Sequence, residues 1–263
     1  MVSGCVSYFR ELYSYRHMLA ALVTRQIKGK YRHSIMGFSW NFLSPLIMIT
    51  IYYFVFSGII AKSIDDYWIY ISVGIFPYRF FDKCMESGAV SITSNKGMVK
   101  KMYFPREILV LSYVITQFLN FVFGYIIVLI MLIVTGNATD PVLLLFVPLI
   151  MMIEFLFVTG MTLIVSAVCV YVRDIGIFIS SASKLLFWGT PVIYTVDSIT
   201  NGIRELIWYN PLTYYVETLH ETLYYSTVPN GSEMLMCVMM AVIIMIAGMV
   251  LFNRLKRRFA EEL

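Results

Sequence analysis

Charge is the scarcest property of this chain. Asp, Glu, Lys and Arg make up 14% of its 263 residues, about half the share usual in soluble domains. Hydrophobic residues reach 59%, and the mean hydropathy is +0.77. A water-soluble globule of this size keeps too much surface to hide that composition, and the same numbers exclude a disordered chain. Cysteine is sparse as well. Cys5, Cys84, Cys169 and Cys237 are scattered, with no CxxC pair and no Cys/His cluster, so neither a metal site nor a disulfide framework is indicated. They read as small buried hydrophobes. A net charge of +4 is too mild for a nucleic-acid partner. The patterns GxxxxGK[ST], GxSxG and HExxH are all missing, so the chain has no P-loop and no catalytic or metal residues are assigned. Residues 1–33 carry Arg10, Glu11, Arg16, Arg25, Lys28, Lys30 and Arg32 without a compact apolar run, which does not read as a secretory signal. No internal repeat supports an inverted-repeat transporter. What remains is an all-α integral membrane protein.

A spanning helix needs about 20 mainly apolar residues. Uncharged or nearly uncharged runs place spans at about 38–61, 108–135, 141–172, 175–196 and 234–253, the fourth of the six broken only by Glu154 and the fifth only by Lys184. A sixth candidate, 67–89, holds Arg79, Asp82, Lys83 and Glu86. Topology decides in its favour. With six spans, fifteen of the 20 Lys and Arg residues fall on the side of the termini and only Lys62 and Arg204 on the other. That asymmetry puts both termini in the cytoplasm. The domain reading is an amphipathic segment over 1–33, a six-span unit over 34–256 and a cytoplasmic tail over 257–263. Val6, Phe9, Leu12 and Tyr13 share one face of the first segment, the pattern of a helix lying in the membrane surface, or equally of one packed on the bundle.

Arg79, Asp82, Lys83 and Glu86 are spaced i, i+3, i+4 and i+7, one stripe of a helix on which Arg79–Asp82 and Lys83–Glu86 can pair. Two readings fit: a polar wall of a water-filled path, or an ion-paired seam between helices. Glu154 has no neighbour of opposite charge in sequence. Such an acid serves proton-coupled carriers, but alone it reads rather as a hydrogen-bonded contact between helices. Lys184 either faces a cavity or snorkels. Of the 42 aromatic residues, many sit at span ends as anchors. Tyr52 and Phe56 share a face of the first span, and Phe187, Trp188 and Tyr194 are placed along the fifth. Taken alone these read as bundle packing. Further on, Asn210-Pro211 forms a helix start, and Leu212, Tyr215, Val216, Leu219 and Leu223 recur at helical spacing. This predicts a short amphipathic helix at the outer leaflet, with His220 exposed on it.

Several stretches resemble one family: LVTRQIKGKYRHSIMGFSWNFLSPLIMITIYYFVFSGII at 22–61, GIFPYRFFDKCMESGAVSITSNKGMVKKMYFPREILVLS at 74–112, YVRDIGIFISSASKLLFWGTPVIYT at 171–195, IWYNPLTYYVETLHETLYY at 207–225 and the ending RLKRRFAEEL. They are similar to the permease subunits of type-2 ABC exporters, in the branch that moves O-antigen, teichoic acid or capsule polysaccharide. The SN-x4-KK-x-YFPRE and NPLT patterns are the most specific pieces. One departure is Arg79, where the family pattern has a more neutral residue.

The resemblance implies a homodimer of six-span subunits in a bacterial inner or plasma membrane, with two nucleotide-binding subunits that hold ATP and Mg. It also implies that this chain binds no cofactor of its own and is no enzyme. It implies that Ser94, Asn95, Lys96, Gly97, Met98, Val99, Lys100, Lys101, Met102, Tyr103 and Phe104 form the cytoplasmic coupling helix, residues 8–17 an interfacial gate helix, and 197–225 the outer gate helices. It makes Tyr52, Phe56, Phe187, Trp188 and Tyr194 candidates for the wall of a substrate path. Arg10, Arg16, Arg25 and Lys28 are candidates to attract the diphosphate of an undecaprenyl-linked glycan. A drug or small-lipid permease of the same fold is the alternative, a proton-coupled carrier a further one, and an assembly scaffold the last.

Overall fold

The computed structural model describes residues 10, 12–31, 36–56, 58, 64–136, 140–199 and 201–263. Among these the secondary structure is all helix, with no strand. The helices are α1 (Arg16–Tyr31), α2 (Trp40–Phe56), α3 (Tyr67–Ala89), α4 (Lys96–Lys101), α5 (Glu107–Val134), α6 (Phe146–Tyr171), α7 (Asp174–Trp188), α8 (Asn201–Ile207), α9 (Pro211–Leu223), α10 (Gly231–Leu255) and α11 (Phe259–Glu262). Three segments are long and apolar enough to cross a membrane: Glu107–Val134, Leu143–Tyr171 and Gly231–Arg258. Their starts and ends follow the uncharged runs closely, because a low-dielectric slab penalises charge at either end.

The charged helix α3 is the hub of the bundle. It packs against α2, α5, α6, α7 and α9, and from Tyr67 to Tyr78 all residues but Trp68 are buried. Of its charged side chains, Arg79, Asp82 and Lys83 are half-buried among neighbouring helices and Glu86 is exposed. Helix α10 lies along α6, and α1 lies along α5 with Leu22 buried and the Gln26 amide 2.8 Å from Ser112 Oγ.

Two sequence expectations change here. Helix α7 stops at Trp188, and the chain turns through Gly189, Thr190 and Pro191. At 15 residues it is about 22 Å long, and Tyr194 sits beyond its end, not along it. Helix α9 begins as expected: Asn210 Oδ1 accepts from the Leu212 N–H at 3.1 Å, with Pro211 in the first turn. It is wedged between α3, α6 and α10, however, so most of its circumference is buried. His220 is therefore buried, stacked on Tyr70 at 3.9 Å, with Nε2 3.0 Å from the Tyr70 carbonyl oxygen. The expectation of an exposed histidine fails because a helix enclosed on several sides has no solvent face.

The tail is docked. Phe259 is fully buried and meets Phe252 and Tyr171 edge-on. Of the amphipathic segment, residues 1–9 and 11, Cys5, Val6 and Phe9 among them, lie outside the described residues. Leu12 packs on the core while Tyr13 is exposed.

Candidate functional site

The seam between α2 and α7 is built from aromatic rings. Tyr52 and Phe56 are one helical turn apart on α2. Phe187 stacks on Tyr52 with centroids 5.5 Å apart. Trp188 meets Phe187 edge-on at 5.5 Å and Phe56 at 6.4 Å, and Tyr78 of α3 closes the group edge-on to Phe187 at 4.9 Å. Four of the five proposed path residues thus form one continuous cluster. Tyr194 joins through its hydroxyl, which donates to the Trp188 carbonyl oxygen at 2.8 Å, and its own carbonyl accepts from the Tyr70 hydroxyl at 2.9 Å. Trp188 remains 57% exposed, so the cluster has an open face.

Beside it opens a cleft of about 720 Å³, lined by residues of α2, α3, α5 and α7. Its walls include Trp40, Met48, Tyr52, Phe76, Phe121, Phe187 and Trp188, and its polar groups are Ser44, Arg79, Asp82, Lys83, Gln117, Asn120 and Lys184. Arg79, Asp82 and Lys83 of the stripe line this cleft, as does Lys184, whereas Glu86 does not. The internal pairing differs from expectation. Lys83 pairs with Glu86, but Asp82 accepts from the Ser183 hydroxyl at 2.6 Å and lies 4.0 Å from Lys83. Arg79 reaches across to Met48, with Nη1 2.9 Å from Sδ. The expected Arg79–Asp82 pair is not formed within 4.0 Å, because groups on neighbouring helices compete for each side chain where an isolated helix offers no rivals. Sequence reasoning missed Met48, Gln117, Asn120 and Ser183. The two amides carried a signal: they are uncharged polar residues inside the apolar run of α5, and they bond to each other at 3.1 Å.

Glu154 is fully buried, and neither carboxyl oxygen has a hydrogen-bond partner among the described residues. The expected interhelical hydrogen bond is not made. The hydroxyls of Tyr125 and Tyr215 point elsewhere, each donating to a backbone carbonyl (Val73 and Cys237) at 2.9 Å.

On the opposite end of α3, a short turn over Thr93–Asn95 leads into α4. Val99 and Phe104 are buried, whereas Ser94, Lys96, Gly97, Lys100, Lys101, Met102 and Tyr103 are exposed; Asn95 and Met98 are intermediate. Tyr103, at 94% exposed, presents an aromatic ring beside two lysines. Around this knuckle three contacts tie distant parts of the chain. Arg25 donates to Asn95 Oδ1 at 3.0 Å, Lys256 Nζ lies 2.5 Å from Glu107 Oε1, and Arg106 donates to the Lys256 carbonyl oxygen. The four basic candidates of the N-terminal region do not converge. Arg25 is held by Asn95, Arg16 sits over the Tyr13 ring at 4.7 Å, and Arg10 and Lys28 are exposed.

At the far end of α3, the Tyr224 hydroxyl donates to the Asp65 carbonyl oxygen at 2.5 Å. Burial, then Tyr225, then Asp65 and Asp66 push its pKa up to about 12, so it stays a donor at any physiological pH. Cys84, Cys169 and Cys237 are free and buried, in keeping with a packing role. Among the described residues no cluster of His, Cys, Asp and Glu could hold a metal ion.

Comparison with known proteins gives a consistent result. Residues 17–224 match the family described as ABC-2 type transporter. A protein of Klebsiella pneumoniae, O-antigen export system permease protein RfbA, is 30% identical over 246 residues, covering 94% of this chain and 95% of its own length. A protein of the same name from Myxococcus xanthus is 28% identical over 256 residues, covering 97% and 98%.

Proposed function

The chain belongs to the ABC-2 type transporter family, and from that premise we propose that it is the membrane permease of an ATP-driven exporter of polysaccharide of the O-antigen kind. The relatives that carry that name are similar to it over nearly their whole length. The observation that carries the reading is the aromatic seam of Tyr52, Phe56, Phe187 and Trp188, since rings offer sugar faces broad, sequence-tolerant contact with few fixed hydrogen bonds to release.

We further propose six spans with both termini in the cytoplasm, two copies of the chain around a central path, and two nucleotide-binding partners that supply ATP hydrolysis. Closure of those partners pushes on Ser94–Phe104. Val99 and Phe104 are rooted in the bundle, so force on exposed Lys96, Lys100 and Tyr103 passes to the helices on either side, α3 and α5. Arg25–Asn95 and Lys256–Glu107 carry the same displacement to the N-terminal helix and to the C-terminal end of α10. Because α2 and α7 touch mainly through rings, they can slide or part without breaking a hydrogen-bond ladder. An undecaprenyl-diphosphate glycan enters laterally near α1, where Arg10, Arg16 and Lys28 favour its charge, and the sugar chain follows along the seam. In the resting state the same rings keep ions out.

The test is reconstitution with the partner ATPase. Lipid-linked glycan is expected to stimulate ATP hydrolysis and to appear on the far side of the membrane. If no lipid-linked glycan stimulates hydrolysis while a drug or a short-chain lipid does, the drug-permease alternative replaces this reading.

A further inference from the structure

We propose that the cleft between α2, α3, α5 and α7 is an oxyanion-binding site, in which Arg79 and Lys184 hold a phosphate or carboxylate group of the cargo. The cleft carries three cations, Arg79, Lys83 and Lys184, against one anion, Asp82. The anion is already engaged by the Ser183 hydroxyl and lies beside Lys83, and Lys83 is also paired with Glu86. Arg79 and Lys184 are left: among the described residues neither has a carboxylate within 4.0 Å, and the contact of Arg79 is a thioether sulfur. A guanidinium in a partly apolar cavity whose one carboxylate, Asp82, lies beyond 4.0 Å and is held by Ser183 is a ready donor fork for an oxyanion, and the low-dielectric walls strengthen that attraction. Gln117 and Asn120 add neutral amide donors from a third helix. Tyr52, Phe187 and Trp188 belong both to this cleft and to the aromatic seam. An anionic group seated on Arg79 would therefore have its attached sugar against the rings.

The identity of the ligand rests on the export reading; the site itself does not. Two sources supply the same chemistry: the diphosphate of the lipid carrier, or acidic groups on the sugar chain. Binding is measured on the complex with its ATPase by quenching of tryptophan fluorescence, since Trp40 and Trp188 line the cleft. The probes are undecaprenyl diphosphate and an oligosaccharide containing glucuronate. Arg79→Gln and Lys184→Gln are each expected to weaken binding of at least one probe tenfold or more, with Arg79→Lys closer to wild type. Arg204→Gln, remote from the cleft and paired with Asp197, is expected to change nothing. Weakening confined to undecaprenyl diphosphate assigns the site to the carrier headgroup, and weakening confined to the glucuronate probe assigns it to the sugar chain. Lys184 is exposed, so its variant retains the fold even if the Arg79 variant does not. Unchanged affinity of both glutamine variants for both probes overturns the site. Stimulation of ATP hydrolysis by a glycolipid, measured separately on the wild type, decides the export reading whichever way the binding falls.

Discussion

Gly160 and Gly248 bring two helix backbones into direct contact. A Cβ built on Gly248 would lie 2.4 Å from the Gly160 carbonyl oxygen, and one built on Gly160 would lie 2.6 Å from the Ile244 carbonyl oxygen. This is how α6 and α10, both apolar and without a hydrophobic drive to associate inside lipid, gain close van der Waals contact. Because the obstructing atoms are backbone, neither helix can yield without moving as a whole. Gly248→Leu and Gly160→Val are each expected to destabilise the bundle by about 1–3 kcal/mol, read as a lower unfolding midpoint in detergent. Gly97→Ala, where an added Cβ meets nothing within 4 Å, is the matched control and should leave the midpoint in place.

The Tyr52–Phe187 stack predicts a functional loss that size alone does not explain. Tyr52→Leu and Phe187→Leu keep volume near native but remove the ring face. An aromatic contact is worth about 0.5–1.5 kcal/mol beyond its area, so glycan-stimulated ATP hydrolysis should fall roughly two- to tenfold in each. Tyr52→Phe should keep wild-type stimulation. Equal loss in Tyr52→Phe would assign the effect to the hydroxyl instead.

Lys256 and Glu107 predict a coupling between the C-terminal end of α10 and the start of α5. Glu107 is 3% exposed, and taking the ammonium away from a buried carboxylate costs about 1–3 kcal/mol. Lys256→Met should lower stability, and the double variant Glu107→Gln with Lys256→Met should recover part of that loss. A double-mutant cycle on thermal unfolding measures it; strict additivity would show that the pair does not couple.

Glu154 predicts the reverse of a functional acid. Export driven by ATP needs no proton site, and a buried carboxyl without a hydrogen-bond partner contributes little to stability. Glu154→Leu is expected to be neutral or stabilising, since it removes a buried polar group without a partner, and to leave transport intact. Transport that collapses in Glu154→Leu, or with an uncoupler at constant ATP, would favour proton coupling.

What could be read before folding was whatever is set locally or by the membrane. Asn210 and Pro211 mark a helix start in any context, and the ends of α5, α6 and α10 follow the uncharged runs because the solvent changes there. Tyr52 and Phe187 are 135 positions apart, so periodicity left them as packing residues and only the family resemblance put them on one wall. The i,i+3 spacing of Arg79 and Asp82 gives a pair only where no other helix competes, and Met48 and Ser183 do compete. Amphipathic spacing puts His220 in water only if its helix keeps one wet face, and α9 is enclosed on several sides. For Tyr194 the sequence does hold a signal: Gly189 followed by Pro191 is a common helix stop, and α7 ends at Trp188, ahead of it.

The central claim is that energy reaches this permease from a partner through Ser94–Phe104. The most direct test is a cysteine at Tyr103, the most exposed position of that segment, in a chain whose native cysteines are replaced. A membrane-impermeant thiol reagent should label it only from the cytoplasmic side, and the bound ATPase should block the labelling and, in an oxidising step, cross-link to it. Labelling from the outer face, or full labelling with the ATPase bound, would contradict the account.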